Sequence, residues 1–105
     1  MPRYAFQLKI KPGKAQEYDE AHREVWPDLL SKLKEVGISH YSIFRRGNDL
    51  MLVMEVDNFD RAWALLEQDP VNQQWQEKMA DLFAPVPELG PGERFPMWTE
   101  VFYLD

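Results

Sequence analysis

The stretch ISHYSIFRRGNDLMLVMEV, Ile38 to Val56, decides the fold. Residues 38–46 and 50–56 each read as a strand. Between them, Arg46-Gly47-Asn48-Asp49 has the chemistry of a hairpin turn. The middle of the chain is therefore an antiparallel pair. In its second strand Leu50, Leu52, Met54 and Val56 share one face, and Met51 and Val53 the other.

Working outward toward the N-terminus, Gly37 is a helix-closing residue. Before it, residues 14–36 carry Tyr18, His22, Val25, Leu29, Leu33 and Val36 at helical spacing, on one stripe. Pro27 removes a backbone donor and leaves the Arg23 carbonyl without its usual partner, which predicts a kink or break near Trp26-Pro27. Lys11-Pro12-Gly13-Lys14 is a turn, and residues 4–10 alternate as a strand with Tyr4, Phe6, Leu8 and Ile10 on one face.

Toward the C-terminus, Asn58 or Asp60 caps a short helix over about 59–67, and Asp69-Pro70 opens another that runs to about Phe83. Residues 84–96, with Pro85, Pro87, Gly90, Pro91, Gly92 and Pro96, predict a loop, and residues 97–104 a last strand. The order is β-α-β-β-α-β, with the second helical part split. It predicts an α+β, ferredoxin-like subunit: an antiparallel sheet with helices on one face.

A chain of 105 residues is expected to form a single domain over 1–105. Strands apolar on both faces need cover on both, and one set of helices covers only one. The other sheet face is therefore expected to meet a second copy, as a homodimer. The formal net charge of −6 argues against a nucleic-acid partner and favours a neutral small molecule. No apolar run reaches the ~20 residues of a membrane span, and the strand pattern starts right after Met1-Pro2-Arg3, so a cytoplasmic location is expected. The chain has no cysteine, and no histidine spacing suggests a metal.

Two histidines are candidates for chemistry. His22 lies on the apolar stripe, one turn after Tyr18 and one before Trp26, so these side chains could line one pocket wall. Spacing alone leaves open a buried histidine whose nitrogens bond to backbone. His40 begins a strand and reads as a surface or strand-edge residue, while Tyr41 lies on the strand's other face, toward either the helices or a partner. Trp75 stands among Asn72, Gln73, Gln74 and Gln76. It can close a helix face, or offer an apolar plate to the C–H face of a sugar. Trp26, Trp63 and Trp98 read as packing residues, and Glu17, Asp19, Glu20 and Glu24 as a solvated helix face.

These segments resemble one known family throughout the chain. Glu17-Tyr18-Asp19-Glu20-Ala21-His22 with Trp26-Pro27-Asp28-Leu29 is similar to the first-helix signature of the L-rhamnose mutarotases. Gly37 to Ile43, Trp75 with Met79-Ala80-Asp81, and Glu100 to Leu104 resemble further segments of that family, in order and at matching spacing. The resemblance implies a dimeric α+β barrel of ferredoxin-like subunits. It implies interconversion of the α and β anomers of L-rhamnopyranose, or a related 6-deoxy sugar, without a cofactor. It makes His22 the proton donor and puts Tyr18, Tyr41 and Trp75 on the substrate. Where the family often has a second tryptophan, this chain has Gln76, whose amide can bond a sugar hydroxyl. Two other functions fit the same architecture: a cofactor-independent monooxygenase acting on flat aromatic substrates, and a non-catalytic sugar-binding protein.

Overall fold

A computed structural model describes residues 2–86 and 89–105. Among the described residues, five strands form one antiparallel sheet. They are β1 (Arg3–Ile10), β2 (Ser39–Arg46), β3 (Asp49–Glu55), β4 (Phe83–Ala84) and β5 (Met97–Trp98). The order is β2-β3-β1-β4, with β5 also paired to β1. This is the ferredoxin-like arrangement expected from the element order. The helices are α1 (Ala15–Ala21), α2 (Pro27–Glu35), α3 (Phe59–Gln68) and α4 (Pro70–Met79), and a 3₁₀ turn covers Ala80–Leu82.

Alternation sets which face is buried. Tyr4, Phe6 and Leu8 pair with Met54, Leu52 and Leu50 across β1 and β3, so one set of side chains faces the helices. Phe6, Ile10, Leu50, Leu52, Met54 and Val56 from this face join Tyr18, Leu29, Ala62, Leu66, Trp75 and Met79 from the helices in one buried core. The hairpin is closed by Gly47-Asn48, with Arg46 opposite Asp49 and Gly47 at φ +60. That is the conformation a primed two-residue turn needs at its first position. Asn58 caps α3 by accepting from the Arg61 N–H, and Asp69 caps α4 by accepting from the Asn72 N–H.

Three expectations change. The break expected near Trp26-Pro27 is present, but it is wide enough to divide residues 14–36 into two separate helices. α1 ends at Ala21, and Pro27 starts α2 at its first position, where a missing N–H costs nothing. His22 therefore closes α1 instead of lying inside a continuous stripe.

The third helical segment does not reach Phe83. It tightens after Met79, and Phe83 turns extended to pair with Ile10. Pro85 follows closely and disfavours a helical Ala84. Most of the expected loop over 84–96 carries no regular structure, while its Pro87 lies outside the described residues.

The last strand is only Met97–Trp98, opposite Phe6 and Ala5. Continuing it would place Thr99 opposite Tyr4 and Glu100 opposite Arg3, both still within β1, yet the pairing stops at Trp98. The chain instead leaves the sheet over an ion pair from Arg3 to Glu100 at 2.7 Å and a stack of the Arg3 guanidinium on Tyr103 at 4.0 Å. Glu100 thus holds the tail to β1. Trp98, expected to be a packing residue, is 56% exposed in the single chain.

Candidate active site

A cavity of about 870 Å³ opens between the inner sheet face and the helices. Ligand cavities span roughly 300–1,000 Å³. Tyr18, His22, Tyr41, Trp75 and Gln76 all line it. The five site residues expected from sequence are therefore brought together from three elements and the end of α1.

His22 is half-buried at the C-terminal end of α1. Its Nδ1 lies 2.9 Å from the Tyr18 carbonyl oxygen. A carbonyl only accepts, so Nδ1 carries a hydrogen and Nε2 is the nitrogen left for other chemistry. The backbone bond that spacing left open is thus present, but it occupies one nitrogen and fixes the ring. The Tyr18 ring stacks on the imidazole at 4.3 Å, and Trp75 meets it edge to face at 5.6 Å and 87°. Trp26 does not line the cavity; it braces Trp75 edge to face at 5.2 Å.

Tyr41 reaches the cavity because of a bulge. Ser39 pairs with Glu55 and Ser42 with Val53, so β2 carries one extra residue there. His40 takes the strain, with φ +48, and its ring turns outward to bond Glu55 at 2.7 Å. His40 is a surface residue, as its sequence position predicts. Beyond the bulge, Tyr41, Ile43 and Arg45 face the cavity while Ser42 and Phe44 face away.

Both tyrosine hydroxyls are pushed above their ordinary range. Burial, then the nearby Asp19 carboxylate, pushes Tyr18 up to about 12. Burial, then the neighbouring Tyr18, pushes Tyr41 upward as well. Near neutral pH they are phenols that donate and accept hydrogen bonds. Trp75 is in the core and in the cavity wall at once, 6% exposed, and Gln76 follows it at the exposed rim. Asn72 also lines the cavity, with its amide donating to the Leu66 carbonyl at 2.9 Å.

Sequence reading missed one feature. Asp19, open to water as expected, is also ion-paired to the sheet. It accepts two bonds from Arg45, at 2.7 Å from Nε and 2.6 Å from Nη2, and both residues line the cavity. The Arg45 hydrogen bonds hold the Asp19 carboxyl below the usual carboxylate range. The only sequence signal for Arg45 is its parity with Tyr41 and Ile43 along β2; nothing local pairs it with Asp19.

Comparison with known proteins gives a consistent result. The family model described as L-rhamnose mutarotase matches residues 3–104. A Mesorhizobium japonicum protein named L-rhamnose mutarotase is 39% identical over 90 residues, 85% of this chain and 86% of its own length. The crystal structure of an L-rhamnose mutarotase from Formosa agariphila superimposes over the whole of both chains with a TM-score of 0.79 and 30% identity. Tetracenomycin F2 cyclase from Streptomyces glaucescens, 23% identical with a TM-score of 0.67, covers 98% of this chain and 95% of its own and shares the fold alone.

Proposed function

Because this chain belongs to the L-rhamnose mutarotase family, we propose that His22 moves the proton when the α and β anomers of L-rhamnopyranose interconvert in the cavity. The observation that carries this role is the His22 ring itself: Nδ1 is committed to the Tyr18 carbonyl and the ring lines the cavity. An imidazole, with an ordinary pKa of about 6.5, exchanges protons readily near neutral pH.

Ring opening removes the proton from the anomeric hydroxyl, breaks the bond between anomeric carbon and ring oxygen, and puts a proton on the ring oxygen. His22 as imidazolium donates that last proton through Nε2. The open aldehyde rotates, and the freed hydroxyl closes on its other face; its proton returns to His22 while the base gives its proton back to the anomeric oxygen. Tyr18 and Tyr41 orient sugar hydroxyls. Trp75 gives the C–H face an apolar wall, and Gln76 offers an amide to a hydroxyl at the rim. The base that takes the anomeric proton is a tyrosine, a water or a carboxylate.

The test is a panel of anomer-exchange rates by saturation-transfer NMR, across L-rhamnose, related 6-deoxy sugars and pentoses. L-rhamnose is expected among the accelerated sugars. Rates equal to buffer for every sugar would end this reading.

The proposal extends to a single domain over residues 1–105 acting as a homodimer in the cytoplasm. Phe44 and Trp98 stand 62% and 56% exposed on the outer sheet face, beside half-buried Met51 and Val53. Val101, Phe102 and Leu104 of the tail are 92%, 77% and 80% exposed. An apolar face of this kind is what a twofold interface covers. No helix is long and apolar enough to cross a membrane among the described residues, and a cysteine-free chain suits a reducing compartment. Sedimentation velocity should give a dimer mass for the native chain and a monomer mass for Phe44→Glu. A native monomer would remove the dimer.

A further inference from the structure

The α1 helix carries two proposed site residues on slender support. It is seven residues long, has no side-chain cap at its start, and buries only Tyr18. Helices this short have little stability of their own. His22 follows as its closing residue, with its N–H shared between the carbonyls of Tyr18 at 3.3 Å and Asp19 at 3.2 Å. Where α1 sits relative to the sheet therefore decides where the imidazole sits.

Among the described residues, one side-chain polar link joins α1 to the sheet. It is the two-pronged bond of Arg45 to Asp19. The same guanidinium donates from Nη1 to the Gly47 carbonyl at 2.9 Å, so three bonds fix its plane against the hairpin turn. A planar fork on a carboxylate transmits orientation as well as distance. The two side chains are 30% and 37% exposed, and ion pairs this open to water add little to stability. Arg45 also shares the cavity face of β2 with Tyr41.

We infer that Asp19 and Arg45 are positioning residues: their pair clamps α1 to β2 and thereby sets His22 and Tyr18 beside Tyr41 in the cavity wall. This rests on the proton-transfer reading of His22 for its catalytic consequence, and on geometry alone for the clamp. The pair leaves the charge of the wall balanced and orders the reacting side chains before the sugar arrives.

Arg45→Lys keeps the charge and loses the fork. It is expected to lower kcat for L-rhamnose exchange about 10- to 100-fold, the scale of an ångström-sized misplacement, with KM within about threefold of the native value. Asp19→Asn should do the same. The Asp19→Asn/Arg45→Lys double variant should be no worse than either single change, because one interaction is lost in each case.

A second readout needs no activity. The His22 ring protons lie against the Tyr18 and Trp75 rings, whose currents shift their NMR resonances. Those resonances should move in Arg45→Lys, while those of His40, bonded to Glu55, stay in place. Unmoved His22 resonances, native kcat, or additive losses in the double variant would overturn the clamp. So would equal movement of both histidines with a large fall in melting temperature, which marks general loosening. If His22→Ala keeps native exchange while Arg45→Lys still moves the His22 resonances, the proton-transfer reading fails and the clamp stands.

Discussion

Replacing His22 by alanine is expected to slow L-rhamnose anomer exchange by about 10²- to 10⁴-fold, the usual contribution of a positioned acid or base. The change removes Nε2 and leaves every other cavity group in place. It also removes the bond from Nδ1 to the Tyr18 carbonyl, but that oxygen still accepts from the His22 backbone N–H at 3.3 Å. A single such bond is worth about 0.5–1.5 kcal/mol. The melting temperature should therefore fall by a few degrees only, and circular dichroism should be native. Saturation-transfer NMR measures the exchange. A variant within about threefold of native activity would show that His22 is not the proton carrier.

Trp75→Ala carries the largest expected cost to stability, about 3–5 kcal/mol, because it empties an indole-sized space in the core. Trp75 is 6% exposed, braced by Trp26 and by the edge of His22, with the Lys78 ammonium 5.2 Å from its ring centre. Its loss removes a cavity wall and a support of the imidazole together. KM for L-rhamnose should rise with the loss of the apolar wall, and kcat should fall as the ring of His22 loosens. Trp75→Phe keeps an aromatic surface and should recover much of the stability. Urea unfolding decides it: a loss under about 1 kcal/mol for the alanine variant would mean that Trp75 packs far less tightly than its burial implies.

The elements were legible because alternation and helical spacing are local. Tyr4, Phe6, Leu8 and Ile10 repeat at two, and the Gly47-Asn48 turn announces its own hairpin. The same local reading failed where distant partners decide. The last strand stops at Trp98 and the tail is held to Arg3 by side chains, the Glu100 ion pair and the Tyr103 ring, which no residue near Trp98 reveals. α1 ends at Ala21 well before Pro27, although apolar spacing continues through His22 and Val25.

The site divides along the same line. His22, Tyr18, Tyr41, Trp75 and Gln76 were all named from the sequence, through spacing and family resemblance. Which way Tyr41 points was not, because a one-residue bulge at His40 sets it, and a one-residue slip changes the face of every later side chain.

The amino-acid sequence by itself determined the order of strands and helices, the apolar face of each, and the histidine on the first helical segment, since these depend on neighbours within a turn or a pleat. Tertiary structure alone decided that Nδ1 of His22 is spent on a backbone carbonyl, that burial pushes both tyrosine hydroxyls above their ordinary range, and that Asp19 meets Arg45 across 26 positions of chain. Hydrogen-bond partners and local dielectric are properties of what folding brings alongside a group, and no stretch of sequence around that group contains them.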